Sequence, residues 1–183
     1  MDKQRLLVLS DIHGEEANLK TVFQWGKNRP EGKEIGTSVF LGDGAADIKK
    51  MALIEGFYSE WIMVRGNNDF DNDLPETCTL DFSGYRFFLC HGHKHSIYLE
   101  HEALIAAALK EKADVALFGH THTPFYSYTH NILLINPGSV GRPRTSVGAT
   151  FAVIECAQGQ PFKTEFWGVK QGEVHAVKHI FHE

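Results

Sequence analysis

Aspartate, histidine and asparagine recur in five short segments, each with glycine close by: Ser10-Asp11-Ile12-His13-Gly14, Gly42-Asp43-Gly44, Gly66-Asn67-Asn68-Asp69, His91-Gly92-His93 and Gly119-His120-Thr121-His122. Together Asp11, His13, Asp43, Asn67, His91, His120 and His122 offer carboxylate, imidazole and amide donors and no thiolate. That set suits divalent Mn, Fe or Zn better than Mg or Ca, which prefer all-oxygen shells. One ion takes four to six ligands, so seven are too many for one and sensible for two. A shared carboxylate would hold two ions about 3.5–4 Å apart, the separation of two-metal phosphoryl-transfer sites. Singly, each residue has a plainer reading. Asp11 or Asp43 could cap a helix, His13 could sit on the surface, and Asn67 could be a turn residue. Five such segments in one order make those readings hard to hold together.

The elements that must position these residues follow from the apolar pattern. Arg5 to Ser10 is a short continuous apolar run, the mark of a strand covered on both faces. Glu15 to Lys27 has near-helical apolar spacing, Ser38 to Leu41 reads as a strand, Ile48 to Phe57 as a helix and Trp61 to Val64 as a strand. This alternation predicts a parallel sheet with crossover helices. Thr77 to Phe82 and Tyr85 to Cys90 flank Ser83-Gly84 as a hairpin. Leu99 to Lys112 reads as a helix with Leu99, Ala103, Leu104, Ala107 and Ala108 on one face, and Val115 to Phe118 as a strand. Strand-like runs then cover Phe125–Thr129, Ile132–Ile135, Thr150–Glu155, Phe162–Trp167 and Val174–Phe181. All five polar segments come just after a strand, and parallel strands deliver their carboxyl ends to one edge, where open α/β proteins build their sites.

The 183 residues suit one domain spanning 1–183. A net charge of −5 with no basic half argues against a nucleic-acid groove. No apolar run is long enough to span a bilayer, and Met1 to Arg5 lacks signal-peptide anatomy, so the protein is expected to be cytoplasmic. Cys78, Cys90 and Cys156 are widely spaced and read as buried free thiols.

In order and type, Asp-x-His (Asp11, His13), Gly-Asp (Gly42, Asp43), Gly-Asn-x-Asp (Gly66 to Asp69), His-Gly (His91) and Gly-His-x-His (His120, His122) resemble the calcineurin-like metallophosphoesterases over roughly residues 5 to 145. The compact size, the His-Gly-His at 91–93 and the Asn136 to Gly141 run are similar to the small bacterial and archaeal phosphodiesterase branch, whose fold the retromer small subunit shares. The resemblance implies an α/β fold, a four-layer α/β/β/α sandwich of two mixed β-sheets flanked by helices. It implies one metal held by Asp11, His13, Asp43 and His122, and a second held by Asp43, Asn67, His91 and His120, with Asp43 bridging. Two divalent ions are expected, Mn first, with Ni, Co, Fe or Zn as alternatives. A metal-bridging hydroxide would attack the phosphorus of a small phosphodiester.

Many relatives carry a histidine after the Gly-Asn, facing the substrate; here that position is Asn68. An amide donates a hydrogen bond but delivers no proton near neutral pH. A modest rate is therefore expected, with preference for diesters bearing good leaving groups. Asn68 and His93 are the candidate substrate-facing, catalytic residues. Asp69 is expected to orient a ligand or cap a turn, Arg65 to form a structural ion pair, and Asn136 to Gly138 to brace the site. Arg142 and Arg144 suit phosphate oxygens, but surface roles are favoured. His175, His179 and His182 are expected to face solvent. Trp167 could serve a contact between copies in a homo-oligomer, with core packing favoured. Two other functions compete. One is a non-catalytic interaction scaffold of the same fold; loss of ligands would favour it, and the ligand positions are filled. The other is a phosphomonoesterase; the arginine of the protein-phosphatase signature is missing after Asp47.

Overall fold

A computed structural model describes residues 3–157 and 159–177. The run after Gln4 is buried at every position, so β1 (Gln4–Leu9) can only be a strand covered on both faces. It leads through Asp11 to Gly14 into α1 (Glu16–Lys27), then β2 (Thr37–Phe40), α2 (Ala45–Glu55) and β3 (Glu60–Met63). A hairpin follows, β4 (Thr77–Phe82) and β5 (Tyr85–Cys90), turning at Ser83 and Gly84 with φ of 50° and 86°. Positive φ at both central residues matches the twist of the flanking strands. Then come α3 (Glu102–Lys110), β6 (Val115–Leu117), β7 (Pro124–Thr129), β8 (Ile132–Pro137), β9 (Ala149–Cys156), β10 (Lys163–Lys170) and β11 (Glu173–Val177).

Two mixed sheets result. One runs β11-β10-β9-β1-β2-β3, with β1, β2 and β3 parallel; the other runs β4-β5-β6-β8-β7, with β5, β6 and β8 parallel. Leu6 and Val8 point between the sheets, where they meet Phe87, Leu89, Leu117 and Ile135. Leu7 and Leu9 point the other way, against Leu19, Val22 and Phe23 of α1 and Ile48 and Met51 of α2. On the far side, Phe88, Ala116 and Leu134 pack on Leu104, Ile105 and Ala108 of α3. The order is helices, sheet, sheet, helix, as the resemblance implied. Among the described residues no helix is long and apolar enough to cross a membrane.

Two helices differ from their sequence reading. α2 begins three residues earlier than the apolar pattern suggests, because a carboxylate from another loop caps its first turn. α3 begins at Glu102 and stops at Lys110, ahead of Lys112, whose φ is +55°. Leu99 lies outside it, in turns closed by bonds from the Leu99 and Glu100 N–H groups to Ser96 O, and is 89% exposed. The buried face is Leu104, Ile105 and Ala108; Ala103 is exposed. The expected strand at Val174–Phe181 is seen to Val177, the rest lying outside the described residues.

Trp167 packs on Trp25, ring centroids 4.9 Å apart, in the layer under α1. His175 is exposed; His179 and His182 lie outside the described residues. His95 and His101 pack edge-on and face-on against Phe88 and Phe125, and His130 is exposed at the β7–β8 turn.

Candidate metal centre

The carboxyl ends of β1, β2 and β3 in one sheet and of β5 and β6 in the other meet at one end of the sandwich. Their loops are stitched together through the backbone. Asp11 N–H donates to Gly42 O (3.0 Å) and Ile12 N–H to Asp43 O (2.8 Å), laying the first loop on the second. Gly119 N–H donates to His91 O, and His120 N–H to Asp11 Oδ2 (3.0 Å), which ties the two sheets. Ser139 Oγ donates to Asp11 O, and Asn136 Nδ2 to Gly119 O (2.8 Å), so the segment after β8 braces the site.

Asp11, His13, Asp43, His120 and His122 all have φ between 49° and 66°. Left-handed backbone is unfavourable for residues with a Cβ and persists only where the surroundings over-determine it, typically at functional sites. Glycine beside these residues serves close approach. A Cβ on Gly66 would lie 2.0 Å from Asp43 Oδ1, and one on Gly119 2.0 Å from Ser10 Oγ.

Six candidate ligands form two groups, Asp11–His13–His122 and Asp43–His91–His120, with one donor atom per residue within 4.8 Å of the others in each group. His122 Nδ1 donates to Arg142 O (2.6 Å) and His91 Nδ1 to Leu41 O (2.7 Å). A carbonyl can only accept, so both protons sit on Nδ1 and both Nε2 lone pairs face inward. His122 Nε2 is 3.1 Å from Asp11 Oδ1 and 3.3 Å from His13 Nε2. His91 Nε2 is 3.4 Å from Asp43 Oδ2 and 3.2 Å from His120 Nδ1. Asp11 Oδ1 is buried and makes no hydrogen bond. The neutral His122 and His91 rings thus turn Nε2 lone pairs toward carboxylate oxygens, an arrangement that positive charge stabilises; the residues present fit divalent cations.

The titration directions show the same demand for positive charge. Burial favours the neutral acid at Asp11, but the adjoining His122 and His13 and the charge of His91 outweigh it and hold the carboxyl well below the usual range. At Asp43 burial is likewise overcome, by His91 and Asn68, and the pKa falls to about 2. Burial opposes charge on His91, yet Asp43 and Asp11 raise its pKa. Burial and the neighbouring His91 push His120 down to about 4.

A cavity of about 470 Å³ opens over these groups, lined by His13, Asp43, His120 and His122 and, around them, by Asn67, Asn68, Tyr98, Arg142, Pro143 and Arg144. Asn68 is held on Asp43: its N–H donates to Oδ1 (2.7 Å) and its Nδ2 to Oδ2 (2.6 Å). Asn67 is exposed in the cavity wall. Asp69 accepts from the N–H groups of Asp43 and Gly66 on one oxygen and of Gly44 and Ala45 on the other, so it both fixes the Asp43 loop and caps α2. His93 stands beside His91, rings 5.4 Å apart, and does not line the cavity. Arg65 pairs with Glu76 (3.0 Å) and bonds Asn72, a structural role. Neither Asp11 nor Asp43 caps a helix.

Sequence reasoning passed over Tyr98, whose OH donates to His120 O (2.7 Å) at the cavity wall. Nothing in its spacing marks it, since it lies in a polar turn region. Arg142 and Arg144, read as surface residues, are exposed but line this cavity.

A family model described as the calcineurin-like phosphoesterase superfamily domain matches residues 5–159. The chain is 30% identical over 149 residues to the probable metallophosphoesterase YsnB of Bacillus subtilis, covering 81% of this chain and 82% of that one. It is 28% identical over 167 residues to the phosphodiesterase YfcE of Escherichia coli, covering 82% and 87%. In structure it is similar to a Vps29 variant from Entamoeba histolytica, with a TM-score of 0.79 at 20% identity, covering 98% of this chain and all of that one.

Proposed function

The chain belongs to the calcineurin-like phosphoesterase superfamily, and from that premise we propose that it is a two-metal phosphodiesterase acting on small diesters. The observation that carries this is the pair of inward Nε2 lone pairs on His122 and His91, each fixed by a backbone carbonyl and each facing a carboxylate. Asp11, His13, Asp43 and His122 would hold one ion and Asp43, Asn67, His91 and His120 the other. Bound there, divalent ions supply an activated water and neutralise the phosphoryl oxygens. Mn is the proposed native ion, on the mixed carboxylate, imidazole and amide donors.

The chain's own residues do the rest. Asp69 holds the Asp43 loop, and the carbonyls of Leu41 and Arg142 keep two imidazoles in the ligating tautomer. Asn68 sits at the cavity with an amide that donates but carries no transferable proton. The leaving group must therefore depart without a proton from that position, which favours aryl diesters. His93, half-buried beside His91, is proposed to touch substrate groups that extend past the cavity. A cytoplasmic setting is proposed from the thiols. Burial raises Cys78 to about 11 and Cys156 to about 12, and pushes Cys90 up as well; all three are free.

The test is metal analysis of the purified protein, then a diester and monoester panel with Mn, Ni, Co, Zn and Mg. Diester hydrolysis that needs a transition metal and exceeds monoester hydrolysis is expected. Metal at about a hundredfold its Kd should also stabilise the fold by about 2.7 kcal/mol, a rise in Tm of roughly 5–10 °C. No metal binding and no hydrolysis would move the protein to the scaffold reading.

A further inference from the structure

The chain has six arginines. Arg5, Arg65 and Arg86 each pair with a carboxylate, Glu155, Glu76 and Asp81 respectively. Arg29 stacks its guanidinium on Trp25, 4.3 Å from the ring centroid. Arg142 and Arg144 alone turn toward the cavity wall, and neither has a carboxylate partner among the described residues. In a protein with 23 acidic side chains and a net charge of −5, two arginines lining one cavity without a carboxylate partner among the described residues mark a place kept for an anion from outside.

Both arginines are anchored to the metal-ligand loop. Arg142 O accepts from His122 Nδ1, Arg142 N–H donates to Ser139 Oγ (2.7 Å), and Arg144 N–H donates to His122 O (3.1 Å). Arg144 Nη1 donates to Tyr98 Oη (2.7 Å), which in turn donates to His120 O. The Arg142 backbone is thus tethered to His122, in one ligand group, and the Arg144 guanidinium, through Tyr98, to His120, in the second. Backbone anchoring fixes where each side chain begins, and the bond to Tyr98 orders the Arg144 guanidinium before any anion binds.

Resting on the phosphodiesterase reading, we infer that Arg142 and Arg144 bind a second, terminal phosphate carried by one arm of the diester substrate. The metal site answers for the single negative charge of the diester itself. Two guanidiniums beside it match a dianion, and a phosphate presents three oxygens to their forked donors, which a carboxylate does not. The substrate class is then a phosphodiester one of whose esterified groups bears a phosphomonoester.

The experiment compares two chromogenic substrates with one leaving group: thymidine 5′-(p-nitrophenyl phosphate) and the same compound bearing a 3′-phosphate. The wild type should favour the 3′-phosphorylated substrate in kcat/KM, mainly through KM. Arg142→Gln and Arg144→Gln should each cut that preference about tenfold, the size of one charge-assisted hydrogen bond. Arg142→Lys and Arg144→Lys, which keep the charge, should restore part of it. A second readout needs no metal and no turnover: calorimetric binding of thymidine 3′,5′-bisphosphate against thymidine 5′-monophosphate to the metal-free protein. There the bisphosphate should bind tighter, and the Gln variants should erase the difference. An unchanged substrate ratio in the variants, an equal loss on both substrates, or equal binding of the two nucleotides overturns the inference. Hydrolysis of neither substrate with any metal overturns the phosphodiesterase reading instead, and the binding difference then decides the arginines by itself.

Discussion

Replacing Gly66 with alanine tests the packing that builds the site. The new Cβ would lie 2.0 Å from Asp43 Oδ1, 2.4 Å from Asp43 N and 2.8 Å from Asp43 Cγ. Non-bonded Cβ contacts essentially never fall below 3.0 Å, so the carboxylate must retreat by at least about 1 Å. Asp43 N must also give way by about 0.6 Å, which strains its bond to Asp69 Oδ2 (2.8 Å). Metal sites tolerate ligand errors of about 0.2 Å, and a misplacement near 1 Å in a catalytic array costs about a hundredfold in rate. Overpacking in a filled site costs about 1–3 kcal/mol, or roughly 2–12 °C in Tm for a chain of this length. Gly66→Ala should therefore stay folded, lose about a hundredfold in diester kcat/KM, and bind Mn at least tenfold more weakly by calorimetry. Gly36→Ala is the control, since a Cβ there meets nothing within 4 Å. If Gly66→Ala binds Mn as the wild type does and keeps activity within threefold, Asp43 is not the shared ligand or the loop is softer than its hydrogen bonds require.

Asp69→Asn keeps the shape but swaps one oxygen that accepts two N–H groups for a donor; a loss of about 2–4 kcal/mol in urea unfolding is expected, because two backbone donors lose their partner. Asn68→His should raise diester turnover, more for alkyl than for aryl leaving groups, since an imidazole can protonate the leaving oxygen; no rise with either substrate would remove position 68 from the reaction. The Glu155 carboxyl, bonded to Lys3 and Arg5, has its pKa lowered below its usual 4.5 by those bonds. A lowered folded-state pKa adds stability above the unfolded value that is lost as the pH falls through the folded one. Glu155→Gln should accordingly flatten the fall in Tm on acidification below about pH 4.5. A parallel fall in both proteins would show that the pair does not contribute.

The alternation of apolar runs with helical spacing, and the position of Asp11, Asp43, Asn67, His91 and His120 just after a strand, are local patterns, so most elements and the candidate ligands were legible along the chain. Strand bounds in the β4–β5 hairpin match the sequence reading because its turn residues are local too. Contacts between distant segments were not legible. The start of α2 was missed because its cap, Asp69, lies 24 residues beyond Ala45. Leu99 has the spacing of a core residue, yet it falls in a turn closed on Ser96 O ahead of α3 and is exposed. Tyr98, Arg142 and Arg144 carry no spacing signal, and only the meeting of two sheets brings them to one cavity. By itself the sequence determined which atoms are available as ligands, since that depends on residue type and strand position. The tertiary structure decided which nitrogen of His122 and His91 faces inward, because carbonyls 20 and 50 residues away fix those rings, and which arginines have no carboxylate partner among the described residues, because that depends on how separate loops pack.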